Sequence, residues 1–189
     1  MLARDLEGAR VFMTYDRGEL EFMTTSETHE SWKAFLAFLI ELYALEMDIP
    51  LLRFGSMTCR RRDLKRGFEP DSCYYVLNAP KISLGKTLDF TVDPPPDLAL
   101  EIEVSRRLSN RRSIYAAFGV PELWTYDGEK LSVMHLRKNG TYELANSSLS
   151  FPHLPLPELE RFLRLRGERT EHEVVRAFQK WLRELSRLS

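Results

Sequence analysis

The chain has 189 residues, 43% of them hydrophobic, and a net charge of −1. This length and apolar content allow one good-sized domain with a substantial core and argue against disorder. The near-zero charge excludes a global attraction to nucleic acid or acidic membranes, so a nucleic-acid role requires a local basic patch or bridging metal ions.

Cys59 and Cys73 form no CxxC pair or Cys/His cluster. That argues against structural zinc and suits a reducing compartment. The N-terminus carries Arg4, Asp5, Glu7 and Arg10 with no apolar core, unlike a signal peptide. The greasiest run, residues 34–40, is stopped by Glu41 and is too short to span a bilayer. A cytoplasmic protein without a membrane partner is expected.

In chain order, residues 9–15 and 19–23 predict a hairpin around Asp16-Arg17-Gly18. Thr25, Ser26 and Thr28 offer caps for a helix over about 27–47. Its Trp32, Phe35, Leu36, Leu39, Ile40, Leu42 and Tyr43 are apolar on more than one face, which predicts burial. Residues 51–57 and 73–77 are strand candidates, separated by RRRDLKRGFEPD (60–71), a basic loop ending in acids. A long connection then reaches Pro94-Pro95-Pro96, which stiffens the approach to a strand over 98–104.

Residues 106–118 predict a helix closed by Gly119. Residues 122–127, 131–137 and 142–145 predict a meander turning at Asp127-Gly128 and Asn139-Gly140. Pro152, Pro155 and Pro157 mark a hinge before helices near 158–166 and 170–188. In the last helix Val174, Phe178, Trp181, Leu185 and Leu188 form a stripe for packing against the core or a twin subunit. There is no internal repeat. The order predicts a mixed α/β (α+β) fold in a single domain over 1–189, with a core at about 10–145 and a helical extension at about 156–188.

Two acidic spots stand out, Glu69-Pro70-Asp71 and the pair Glu101/Glu103 on the 98–104 strand. If their strands pair, three or four carboxylates converge, which is costly unless a cation joins them. A hard divalent ion is one such cation. Pattern alone leaves a solvated sheet face and a metal site both standing.

The segments MTTSETHE (23–30), EPD (69–71), DPPPDLALEIEVS (93–105) and RRSIYAAFGVPELWTYDG (111–128) together resemble the Uma-type family of restriction-endonuclease-like proteins, within the PD-(D/E)xK nuclease superfamily. The likeness runs from about residue 10 to 145. It implies a central mixed β-sheet flanked by helices and a metal-dependent endonuclease that hydrolyses DNA, with Mg²⁺ or Mn²⁺ as cofactor. By resemblance, Asp71 and Glu101 are metal ligands. Glu103 stands where the superfamily most often has lysine, and it binds metal or orients water. Relatives often have lysine at the position of Arg111, which stabilises charge but hardly acts as a base. Glu30 is the acid expected from the first long helix, with Glu27 second and His29 nearby.

Other acids have plainer roles. Asp89 and Asp97 are expected to cap loops, Glu122 to make a structural pairing, and Glu69 to be a neighbour of the site. Glu103 has an alternative role as partner of Arg106 or Arg111. His135, His153 and His172 lack metal spacing. Arg60, Arg61, Arg62, Lys65 and Arg66 suit either a solvated loop or a grip on a phosphate backbone. A homodimer suits two-strand cleavage. The rival readings are a catalytically inactive member of the same fold, acting as a nucleic-acid-binding or assembly module, and a structural protein whose acids face solvent.

Overall fold

The computed structural model describes residues 11–104 and 111–187. Residues 9–10 of the expected hairpin, Arg106 with the expected start of its helix, and Leu188 lie outside them.

Two sheets organise the chain. The smaller is antiparallel and has four strands: β1 (Val11–Asp16), β2 (Glu19–Thr24), β4 (Cys59–Arg61) and β5 (Arg66–Phe68), in the order β2-β1-β5-β4. The larger adds β3 (Leu52–Arg53), β6 (Ser72–Tyr75), β7 (Leu98–Ile102), β8 (Glu122–Tyr126), β9 (Leu131–Leu136) and β10 (Tyr142–Ala145), in the order β10-β9-β8-β7-β6-β3. Only β7 and β8 pair in parallel within it. The crossover between them contains helix α2 (Arg111–Phe118), which ends at Gly119 in the left-handed conformation (φ 76°) that a glycine accepts without strain.

Helix α1 (Glu27–Glu46) is capped by Ser26, whose hydroxyl accepts from the His29 N–H. It covers one face of the large sheet and packs its Phe35, Leu36, Leu39 and Ile40 in one core with Leu98, Leu100 and Ile102. Helix α2 covers the other face, where Ile114, Tyr115 and Phe118 share a core with Ala99 and Leu123. β7 is therefore buried on both faces, and Glu101 alternates onto the α2 side with Ala99.

The C-terminal helices α3 (Leu156–Leu165) and α4 (Glu171–Ser186) join the α1 core through Leu159, Phe162, Val174, Phe178 and Leu182. Val174 and Phe178 of the apolar stripe thus pack within the chain. Arg166 pins this corner, its guanidinium over the rings of Trp32 and Phe35 and bonded to Ser31 and Glu171. No helix among the described residues is long and apolar enough to cross a membrane.

Residues 60–71 are not a loop. Their larger part forms the β4–β5 hairpin, which docks on β1. Cys59 and Phe68 supply its buried side, and Lys65 turns it in the left-handed conformation (φ 51°). The 98–104 strand ends early, at Ile102. The strand expected at 73–77 ends at Tyr75, because the Asp97 carboxylate captures the N–H groups of Val76 and Asn78, each at 2.8 Å.

Candidate active site

Ser72 pairs with Leu100 across antiparallel β6 and β7, which places Asp71 beside Glu101 one step further along. Both carboxylates are buried, each only 2% exposed. Asp71 Oδ2 accepts the Ile102 N–H at 2.7 Å and lies 3.0 Å from His29 Nε2 at the start of α1. Asp71 Oδ1 is buried with no hydrogen-bond partner among the described residues.

Glu101 meets α2. Arg111 Nη1 lies 3.3 and 3.4 Å from its two oxygens, and the Tyr115 hydroxyl donates to Oε1. Arg111 and Tyr115 are four residues apart, hence on one face of the helix. Burial, then the neighbouring charge of Asp71, raises the Glu101 carboxyl from 4.5 to about 8, although Arg111 and the Tyr115 hydrogen bond pull it down. Burial alone would depress the Arg111 guanidinium, but Glu101, Tyr115, Asp71 and Glu21 more than offset this and raise it. The Tyr115 hydroxyl is driven upward by burial and by Glu101. Arg111 Nε and Nη2 are buried without hydrogen-bond partners among the described residues.

The sequence-predicted residues divide accordingly. Asp71, Glu101 and Arg111 come together. Arg111 is buried, not a solvated helix residue, and its carboxylate partner is Glu101, not Glu103. Glu103 is half-buried just past β7, its N–H bonded to the Tyr126 carbonyl at 2.7 Å, and its charge adds to the upward push on Glu101. Glu30 pairs with Lys33 at 2.7 Å and lies 3.6 Å from His29 Nδ1, so it borders the pair through the histidine. Burial opposes ionisation of Glu30, but the Lys33 hydrogen bond and charge outweigh it and hold the carboxyl below its ordinary value. Glu27 is exposed.

Glu69 ties strands together, accepting from the Met13 N–H and the Thr58 hydroxyl. Glu122 accepts from Trp124 Nε1 and the Ser150 N–H, a structural pairing. Asp89 bonds Thr91 within its own loop. Tyr115 was not among the site residues expected from sequence. Its signal is the spacing of four from Arg111. His29, expected only as a neighbour, touches Asp71 directly.

Asp71 and Glu101 fit a hard divalent ion in chemistry and placement: two oxygen donors on adjacent strands, one oxygen of Asp71 without a partner, and mutual repulsion that a cation would relieve. Such ions accept one or two carboxylates with waters completing the shell. Among the described residues no three His, Cys, Asp or Glu side chains form a ready cluster.

The chain matches a family model, Uma2, described as putative restriction endonuclease, over residues 2–169. No curated protein matches it. Among solved structures, it is similar to the crystal structure of a putative nuclease belonging to DUF820 from Anabaena variabilis. The two are 14% identical with a TM-score of 0.56, over 80% of this chain and 90% of the other. At that identity the likeness shows the fold.

Proposed function

The chain belongs to the Uma2 family of putative restriction endonucleases, and we propose from this premise that it is a divalent-metal-dependent endonuclease hydrolysing DNA phosphodiester bonds. The observation that carries the proposal is the buried Asp71–Glu101 pair, with Asp71 Oδ1 unpartnered among the described residues and Arg111 alongside. Asp71 and Glu101 would hold Mg²⁺ or Mn²⁺, and Glu103 would assist. When bound, such an ion lowers the pKa of a water and neutralises charge on the phosphoryl group.

The chain's own residues do the rest. The Ile102 N–H, bonded to Asp71 Oδ2 at 2.7 Å, fixes the orientation of that carboxylate, and His29 Nε2 lies 3.0 Å from the same oxygen. Arg111 is permanently charged, and its Nε and Nη2 donors, without partners among the described residues, suit phosphoryl oxygens. Arg60, Arg62 and Lys65 are exposed and make no ion pair with a described residue, so they suit a phosphate backbone. Arg61 and Arg66 do not, because Asp63 and Asp16 already pair with them. Residues 1–189 act as one domain in which α3 and α4 buttress α1, and two copies form a homodimer that cuts both strands.

One observation favours the catalytically inactive alternative: both oxygens of Glu101 are engaged by Arg111, as a retired site would allow. Cleavage of supercoiled and single-stranded DNA with Mg²⁺ or Mn²⁺ decides between them. The nuclease reading expects cutting by the wild type that Asp71→Ala and Glu101→Ala both lose. Equal cutting by all three removes these residues from the mechanism, and none by any of them favours the inactive reading.

A further inference from the structure

The small sheet has a face that no described element covers, unlike its other side. The strand registers set Leu20, Tyr15, Gly67 and Arg60 in one cross-strand row, with Phe22 and Met13 paired in a neighbouring row. Leu20, Phe22 and Tyr15 are 53%, 49% and 39% exposed, although large apolar side chains grouped on one face mark contact surfaces. Gly67 leaves a trough between Tyr15 and Arg60. A Cβ there would come within 3.1 Å of the Cys59 carbonyl oxygen. A groove of about 410 Å³ follows this face and is also lined by Arg62 and Lys65.

Charge on the groove is one-sided. The carboxylates Asp16, Asp63 and Glu69 are committed to Arg66, Arg61 and Thr58, whereas Arg60, Arg62 and Lys65 pair with no described carboxylate. Glu19 and Glu21 alternate onto the opposite face of β2. An aromatic sheet face beside unpaired cations suits a polyanion with exposed base faces. Duplex DNA hides its base faces in the stack and offers only phosphates to such a surface. A second copy of this chain would bring the same cations against one another in a two-fold contact.

We propose that this groove and the neighbouring Phe22 bind single-stranded DNA, stacking unpaired bases on Tyr15 and Phe22 with Leu20 packed beside them, and holding phosphates at Arg60, Arg62 and Lys65. The choice of DNA rests on the nuclease reading. The groove is mechanically joined to the acidic pair. Phe68 packs its ring 4.3 Å from that of Tyr115, and Glu69-Pro70 leads straight into Asp71.

The test is fluorescence anisotropy of the full chain in EDTA, where no divalent ion is present, with labelled oligothymidylate and a duplex of equal length. The wild type should bind the single strand at least tenfold more tightly. Tyr15→Ala and Phe22→Ala should each weaken that binding about tenfold, leaving duplex binding and melting temperature unchanged. Arg60→Ala with Arg62→Ala should flatten its salt dependence. Preference for duplex, or aromatic variants that bind like the wild type, overturns the inference. So does loss of self-association in sedimentation without loss of DNA binding, which assigns the face to a second copy. Cleavage assays on the same samples separate the two proposals. Metal-dependent cutting lost by Asp71→Ala but indifferent to Tyr15 and Phe22 keeps the nuclease and removes the groove. Groove-dependent binding without cutting does the reverse.

Discussion

The guanidinium of Arg111 sits 3.3 Å from one oxygen of Glu101 and 3.4 Å from the other, and both side chains are almost fully buried. Once the Glu101 carboxyl ionises, above about pH 8, a cation and an anion share a space from which water is excluded, and neither then tolerates loss of its partner. Above about pH 8, where Glu101 is ionised, Arg111→Met should destabilise the metal-free protein by about 3–5 kcal/mol, the cost of leaving one charge of a buried pair uncompensated. Adding Glu101→Gln should restore much of that loss. Urea denaturation of the two single variants and the double variant measures the coupling. Losses that simply add would show that the pair does not act as a unit.

Glu101 also makes stability depend on pH with a definite sign. Its carboxyl lies near 4.5 in the unfolded chain and about 8 in the folded one, lifted by burial and by Asp71. Between those values the folded state holds a proton that the unfolded state releases. The contribution is therefore fully present below about 4.5 and is lost as pH rises through about 8. Glutamine cannot ionise. In EDTA, the melting temperature of Glu101→Gln minus that of the wild type should grow from about pH 5 to about pH 8.5. A difference independent of pH would mean that Glu101 does not carry this shift.

A divalent ion would reverse that penalty by favouring the ionised pair. Mg²⁺ or Mn²⁺ at a hundredfold excess over its dissociation constant should add about 2.7 kcal/mol. For a chain of this size that corresponds to roughly 5–10 °C in melting temperature. Asp71→Asn should abolish the shift by removing the charge of the proposed ligand beside Glu101. An equal shift in Asp71→Asn would place any bound ion elsewhere. No shift in the wild type would support the inactive reading.

The sequence exposes some of these features and hides others for physical reasons. The strand carrying Glu101 is legible because LALEI is an apolar run approached through Pro94-Pro95-Pro96, and a carboxylate inside it demands an explanation. The meander is legible from its glycine turns. The β4–β5 hairpin is not, because Arg60-Arg61-Arg62 hides the alternation that buries Cys59 and leaves Arg60 and Arg62 outside. The partners of Glu101 were equally hidden. Continuous alternation would put Glu101 and Glu103 on one face, but β7 stops at Ile102. The contacts of Glu101 with Tyr115 and of Asp71 with His29 form only after α1 and α2 have packed on opposite faces of the sheet. No local spacing encodes them.

Glu122 provides a control for the whole site. It belongs to the sequence phrase that carries the family resemblance, and it is as buried as Glu101, yet its oxygens accept from Trp124 Nε1 at 2.8 Å and from the Ser150 N–H at 2.9 Å. Both donors are buried, and Glu122→Ala would strand them at about 1–3 kcal/mol each. The variant should therefore melt well below the wild type. At a temperature where it remains folded, its metal-induced shift and any DNA cleavage per folded molecule should match the wild type, because Glu122 touches none of Asp71, Glu101 and Arg111. Glu101→Ala should behave in the opposite way, losing the metal response whatever its stability. If Glu122→Ala instead lost its metal response while folded, burial of a carboxylate in this phrase would no longer distinguish structure from chemistry. The assignment of Glu101 to the site would then lose its basis.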